Sequence, residues 1–245
     1  RTWLAESRKG RALYRSGMLA PVESGQCRLP GILSRVSLVE ANDGFGERFT
    51  LVRHGHTGEY SLLFACQPQG AGLADDDVED AYVASWAGLL EALGSEAGVT
   101  QLAVTVDTSP DSGVRFRRNL ARCTVADAPE LAARAMAQIM GLTLTFRYVD
   151  ARTGRFLGPD DAARRIGQLV PGLIRRIADA GGGTARMLTI DEISCMVRVA
   201  YDPAAQDTLE RDEERPWIAW EDAGPVACEA GWDPYRHDAG VGRAR

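Results

Sequence analysis

Apolar and polar residues alternate along the first part of the chain in the way that is typical of β-strands. Tyr60, Leu62 and Phe64 share one face of such a strand. Thr57-Gly58 comes shortly before it, and a glycine beside a small polar residue favours a tight reversal of the chain. Residues 36–67 therefore predict strands that are joined as hairpins.

Three stretches follow the spacing of three and four residues that is typical of helices. The first spans residues 75–93, and the second opens at Asp127-Ala-Pro-Glu130, which has the pattern of a capping box with an early proline. The second helix is predicted to run to about Met140. The third spans residues 160–179, and we expect Pro171 to kink or split it. The inward stripe of the first helix consists of Val78, Tyr82, Trp86, Leu89 and Leu93.

Strand-like and turn-like stretches separate these helices. Gln101 to Asp107 alternates as a strand and leads into a turn-rich loop at residues 108–113, and Leu142 to Val149 is again strand-like. Further along, a capping box predicts a helix that ends at about Tyr201, and the highly charged residues 206–215 predict a surface loop.

The order of these elements predicts the α+β class, in which helices cover small antiparallel sheets. We expect the sheets to form two ferredoxin-like lobes. The predicted divisions are a basic juxtamembrane segment at residues 1–20, a first lobe at 21–150 and a second, incomplete lobe at 151–245.

The composition is that of an ordinary globular protein, with 245 residues, 45% hydrophobic residues and a net charge of -6. Fibrous and wholly disordered classes are excluded, and the negative charge makes nucleic acid an unexpected partner. Lys9 is the only lysine, which excludes a Walker A loop or a Schiff base elsewhere. Five scattered cysteines without a C-x-x-C pair predict neither a disulfide framework nor a zinc site.

Residues 1–20 form the one concentrated basic stretch, in which Arg8, Lys9 and Arg11 lie close together. Positive charge beside a membrane span is found on the cytoplasmic side and attracts anionic lipid. The chain begins at Arg1 rather than Met, and none of its stretches approaches the roughly 18 apolar residues of a span. We therefore expect a processed or deliberately cut piece, and the basic stretch predicts that it starts just inside a membrane.

Arg53-His54-Gly55 is the sharpest local match to a catalytic motif. In a histidine phosphatase, such a histidine takes the phosphoryl group and the arginine holds the phosphate oxygens. That chemistry needs a loop and a helix after the motif, whereas residues 57–64 turn back into a strand. It also needs a second histidine before glycine, whereas His237 precedes Asp238. A phosphohydrolase that uses this motif is kept as the alternative to a binding role.

Other residues that could carry chemistry have simpler structural explanations. His54 and His56 share one strand face, but two ligands do not make a metal site. Trp217 and Trp220 are close enough in sequence to form one exposed contact site. No catalytic residue, cofactor or metal is predicted.

Several strings of residues occur along the chain in an order that resembles a known family. They are Tyr14-Arg-Ser-Gly17, Arg28-Leu-Pro-Gly31, Gly46 to Phe49 followed by Leu51-Val-Arg-His54, Trp86, Thr108-Ser-Pro-Asp-Ser-Gly113, Val197-Arg-Val-Ala-Tyr-Asp-Pro203, Asp222-Ala-Gly-Pro225 and Trp232-Asp-Pro-Tyr-Arg-His-Asp238. The set resembles an actinobacterial family of integral membrane proteins from conjugative elements. Members are typically encoded beside a PrgI-like small membrane protein and a large conjugative secretion ATPase, and the layout is similar to that of EccE of type VII secretion.

The resemblance implies the cytoplasmic domain of an inner-membrane subunit whose spanning helices precede this chain. It implies a scaffold or docking module for the secretion ATPase and sister subunits, with the small membrane subunit as a further partner and without catalytic residues. The chain departs from the family at Gln138 to Leu142, where a helix-to-strand connection looks shortened, and after His237-Asp238, where the family continues.

Partner contacts are expected at arginine and tryptophan residues, because both are favoured in protein interfaces. The predicted contact residues are Arg8, Lys9, Arg11, Trp217, Trp220 and the outward arginines of the third helix, Arg164, Arg165, Arg175 and Arg176.

Overall fold

The computed structural model describes residues 29, 35–67, 76–110, 136–203, 205–211, 218–224, 228–230, 234–237 and 240–243. The chain divides into two compact units, each described by itself below. One unit consists of residues 38–110 and 136–189, and the other of residues 1–37, 111–135 and 190–245. The mixture of helices with antiparallel sheet confirms the predicted α+β class.

A six-stranded antiparallel sheet forms the centre of the first unit. Its strands are β1 (Val36–Asn42), β2 (Arg48–His54), β3 (Glu59–Gln67), β4 (Val99–Pro110), β5 (Met136–Phe146) and β6 (Thr184–Met187). The strands lie in the order β1-β2-β3-β5-β4, and β6 pairs with β3. β2 pairs with the first half of β3, where Leu51 lies opposite Leu62, and β6 pairs with the second half, where Ala185 lies opposite Cys66.

Two helices complete this unit, α1 (Asp76–Ser95) between β3 and β4, and α2 (Pro159–Ile177) between β5 and β6. The segment from β3 to β6 therefore has the β-α-β-β-α-β order of a ferredoxin-like fold, with its strands arranged β4-β5-β3-β6. The predicted boundary at residue 150 falls inside this unit, because β6 pairs with β3 and α2 belongs to the same unit.

The core lies between the sheet and α1 and α2. Leu62 and Leu144 from neighbouring strands are fully buried, and so are Ile166 and Val170 from α2. Burial of side chains of this size stabilises the fold by about 1.5–3 kcal/mol each. The predicted inward stripe of α1 is confirmed for its last members, Leu89 and Leu93, whereas Val78 at its start is 40% exposed.

Helix α2 runs through Pro171 as one helix, so of the two predicted effects of this proline, a kink or a split, the split does not occur. Proline removes one backbone hydrogen bond within the helix. Buried residues on both sides of it, among them Val170 and Leu173, hold the two halves of α2 against the same core. After Ile177 the helix widens into one π-turn, where Gly181 has a φ of +82°.

Two sequence predictions fail around the long β4–β5 pair. Residues 136–140, expected at the end of a helix, belong to strand β5, and residues 108–110, expected in a turn-rich loop, belong to β4. The reason is pairing between the strands, since Met136 lies opposite Pro110 and Met140 lies opposite Val106. Strand β5 is also continuous across Met140-Gly141, where a helix-to-strand connection was expected.

The described part of the second unit contains two helices and a small three-stranded meander. Helix α3 (Ile190–Tyr201) ends where the sequence predicted. Helix α4 (Ala205–Arg211) lies in the stretch that was predicted to be a surface loop, so that prediction is wrong for these residues. The meander consists of β7 (Cys228–Ala230), β8 (Pro234–His237) and β9 (Gly240–Arg243), and within the described residues this unit lacks the β-α-β-β-α-β order.

Candidate functional site

The Arg53-His54-Gly55 motif lies where strand β2 ends in a tight turn. The backbone amides of Thr57 and Gly58 donate to the carbonyl of His54, at 3.3 and 2.9 Å, and strand β3 begins at Glu59. The predicted hairpin is therefore confirmed, and the motif leads into a strand rather than a helix.

Arg53 and His54 are directed to opposite faces of the sheet, because successive residues of a strand alternate. Arg53 lies opposite Tyr60 in the β2–β3 register, where burial raises the pKa of the Tyr60 hydroxyl and the nearby Arg53 charge opposes that increase. On the other face, Nε2 of His54 lies 2.8 Å from Oγ of Ser61. An arginine and a histidine that hold one phosphate must converge on it, and this strand separates them.

His54 belongs to a chain of hydroxyl groups that runs across the sheet. Oγ of Ser61 lies 2.9 Å from Oγ1 of Thr145, its partner in the β3–β5 register, and both residues are buried. Burial lowers the pKa of His54 from its ordinary value, and the carboxylate of Glu59 opposes this effect. The imidazole is therefore neutral at pH 7 and fixed by Ser61.

Metal ligands do not gather around the histidine pair. His56 is exposed in the turn, while His54 is directed to Ser61. Over the described residues there is no group of three or more His, Cys, Asp or Glu side chains that could hold a metal ion.

The four arginines of α2 are all exposed, as the sequence predicted. Arg164 lies 3.5 Å from Asp161, and Arg175 lies 3.9 Å from Asp179. The side chains of Arg164 and Arg175 are 72% and 87% exposed, so these ion pairs are solvent-screened and contribute little to stability. Because little free energy is lost when these ion pairs break, the guanidinium groups are able to donate to the carboxylates of another protein instead.

Arg165 is the most constrained of these arginines. Its guanidinium carbon lies 4.5 Å from the centre of the Tyr148 ring, within the range of a cation–π contact. Tyr148 is itself buried and stacks on Phe146 with ring centres 6.1 Å apart. Burial raises the pKa of Tyr148, and the Arg165 charge opposes that increase. The contact holds the first half of α2 against the end of β5.

Trp220 is 6% exposed, so the prediction that it forms an exposed contact site is wrong. A short 3-10 turn at Trp220–Asp222 brings the indole into the interior, and burial of so large an apolar surface is favourable. Its indole N–H has no hydrogen-bond partner in the described part of the chain. Trp217, Arg8, Lys9 and Arg11 lie outside the described residues, and their role as contacts stays a prediction.

A groove of about 390 Å³ lies where α1 meets the end of α2. The seven residues that line it are Tyr82, Ile174, Ala178, Gly181, Gly183, Thr184 and Ala185. None of these seven is Asp, Glu, Lys, Arg or His, and Tyr82 is the one ionisable side chain among them.

Sequence reasoning missed the hydroxyl chain and the cation–π contact. Ser61 and Thr145 are 84 positions apart, and the contact between them depends on the pairing of β3 with β5. Polar residues at alternate positions of two predicted strands were an available signal for the hydroxyl chain. Such a pattern indicates that one face of each strand is polar, but it does not show which strands pair with each other.

Comparison of the chain with protein-family models, with curated proteins and with solved structures gave no match. Among the described helices, none has the length and apolar character needed to cross a lipid bilayer.

Proposed function

We propose that this chain is a non-catalytic docking domain of a membrane-anchored subunit in a conjugation or secretion apparatus, with a secretion ATPase as its principal partner. The observation that supports a docking role most directly is the outward face of α2. It presents four exposed arginines and is fixed to the sheet by a fully buried apolar face.

A rigid arginine face is suited to an acidic protein surface. Arginine forms paired hydrogen bonds with carboxylates, and a rigid helix keeps its guanidinium groups in place before binding. The whole chain carries a net charge of -6, whereas α2 has four arginines against two aspartates. This face is therefore positively charged on a protein that is negatively charged as a whole. Such a face favours selective binding to a negatively charged partner surface.

The resemblance to the conjugative family supports the further parts of the proposal. In that arrangement the domain is attached to the plasma membrane through helices that precede this chain. The basic residues Arg8, Lys9 and Arg11 then lie next to the inner face of that membrane. The small membrane subunit of the same apparatus is then a second partner. No cofactor is part of the proposal.

The alternative, a phosphohydrolase that uses Arg53-His54-Gly55, is disfavoured by the geometry of strand β2. The motif arginine contacts Tyr60 on one face, and the motif histidine contacts Ser61 on the other. Both groups would have to leave these partners to meet one phosphate.

The proposal is tested by co-purification from cells that express the full-length subunit with the ATPase encoded beside it. We expect the ATPase to be retained by the wild type and lost when Arg164, Arg165, Arg175 and Arg176 are all changed to Glu. A matched control is the pair Arg152→Glu and Arg155→Glu, which removes exposed arginines from a loop outside α2. Retention of the ATPase by the α2 variant, or its absence from the wild type, would contradict the proposal.

A further inference from the structure

Strand β4 is the last strand in the described order of the sheet, so one of its edges faces away from β5. It is 12 residues long. Its first eight residues, 99–106, contain no charged side chain and no proline. A long strand with a free edge offers a row of backbone amides and carbonyls to any other strand that approaches it.

The other outer strands of the same sheet carry the features that discourage such pairing. β1 has 7 residues and an exposed Glu40, and β6 has only 4 residues and an exposed Arg186. Short length and edge charges are the ordinary protection of free sheet edges. β4 has its one charge, Asp107, and its proline, Pro110, near its end, and its register irregularity at its start, between Val99 and Gln101. Among the described outer strands, β4 is therefore the one with the longest stretch free of charge and proline.

The side chains of β4 also favour a partner. Leu102 and Val104 lie opposite Leu144 and Leu142 in the register, so they share the apolar face of the sheet. Val104 and Val106 continue this row but are 45% and 54% exposed. Val104 and Val106 are thus β-branched apolar residues that the core of this unit does not fully cover. A second strand that pairs with β4 would bury them further.

We propose that the free edge of β4 pairs antiparallel with β4 of a second copy of this chain, across a twofold axis. Residues 99–106 carry no charge, so two copies of this stretch pair without repulsion between like charges. Antiparallel strands of identical sequence also satisfy a twofold axis. Pairing extends the sheet across both copies and brings the two rows of Leu102, Val104 and Val106 together. Residues 99–106 contain no charged side chain that could form an ion pair with a highly charged partner strand.

The area of the β4–β4 contact indicates how tightly the two copies should bind. Eight paired residues span about 27 Å and form about eight interchain hydrogen bonds. They bury roughly 600–800 Å² in total, which is below the area of a standard stable interface. The pairing is therefore a weak one, with a Kd between about 1 µM and about 100 µM.

The experiment is sedimentation velocity on the full chain from about 5 µM to about 500 µM protein, a range that brackets such a Kd. We expect the mass to rise from 26.5 kDa towards twice that value. Hydrogen exchange should slow in parallel at those backbone amides of residues 99–106 that are directed away from β5. Changing Val104 and Val106 to Lys should keep the chain monomeric, because charge on an edge strand opposes pairing. These side chains are already half-exposed, so the variant should fold, and thermal unfolding verifies this.

Val149→Lys is the matched control, since it places the same charge at another valine that is 52% exposed. It should dimerise as the wild type does. Three results would each overturn the proposal: a chain that remains monomeric throughout, a dimer that tolerates both lysines, and slow exchange in the monomer of those amides of residues 99–106 that are directed away from β5. The last outcome would show that a segment of the same copy covers the edge. None of these outcomes affects the proposed role of the α2 arginines, which is measured by ATPase retention.

Discussion

Nε2 of His54 lies 2.8 Å from Oγ of Ser61, and this contact joins the end of β2 to the interior of the sheet. Ser61 continues the chain to Thr145 on β5. The histidine of the motif that suggested phosphate chemistry is thus held by a structural hydrogen-bond network. The energetic role of that network can be measured directly.

The stability of the chain should depend on pH through His54. Burial lowers the pKa of His54 below its ordinary value of 6.5 in the folded state. The unfolded chain then binds more protons than the folded chain between that lowered pKa and 6.5, so stability falls as the pH drops through this window. We expect the wild type to lose more free energy of unfolding than His54→Gln between about pH 7.5 and about pH 5. Urea unfolding at the two pH values measures the difference, and equal losses in the two proteins would rule out this role.

Removing the central hydroxyl of the network should destabilise the fold. Ser61→Ala leaves His54 and Thr145 without their shared partner, and an unsatisfied buried group costs about 1–3 kcal/mol. The double variant Ser61→Ala, Thr145→Val should lose less free energy of unfolding than the two single variants lose together. The difference should be about 0.5–1.5 kcal/mol, because both changes remove the same hydrogen bond. Urea unfolding of the four proteins gives this coupling. Strict additivity would show that Ser61 and Thr145 act independently.

Gly98 and Gly88 should respond to alanine in opposite directions. Gly98 has a φ of +98°, and a Cβ there would lie 2.1 Å from the ring of Tyr148. Gly98→Ala should therefore cost about 2 kcal/mol or more. Gly88 lies in α1 with nothing within 4 Å of its added Cβ, so Gly88→Ala should stabilise the chain by about 0.5–1 kcal/mol. Thermal unfolding measures both, and a neutral Gly98→Ala would contradict the packing of Tyr148 against this turn.

Phosphatase activity should not depend on the Arg53-His54 pair. With the two side chains on opposite faces of β2, we expect hydrolysis of para-nitrophenyl phosphate to be the same for the wild type and for His54→Ala. Thr57→Ala, a change in the neighbouring turn, serves as the preparation control. Activity that is present in the wild type and in the control but absent from His54→Ala would establish the phosphohydrolase alternative.

The parts of the fold that depend on local sequence were predictable. The periodicity of α2 predicted residues 160–179, and the helix spans Pro159–Ile177 with all four predicted arginines exposed. The hairpin around Thr57-Gly58 was predictable for the same reason, since turn residues and alternation act over a few positions.

The parts that depend on distant pairing were not predictable from these patterns. Residues 136–140 follow an alanine-rich stretch with helical propensity, yet pairing with β4 places them in a strand. Trp220 illustrates the same limit for a site, since proximity to Trp217 in the sequence predicted an exposed patch and the fold buries the side chain.

The docking role is tested most directly by the affinity of the purified chain for a purified secretion ATPase, the proposed partner, measured by titration calorimetry. We expect binding that weakens at high salt, and that weakens at least about tenfold when Arg164, Arg165, Arg175 and Arg176 are all changed to Glu. The variant with Arg152→Glu and Arg155→Glu should bind as the wild type does. Binding that is unchanged by reversal of the four α2 charges would contradict the account.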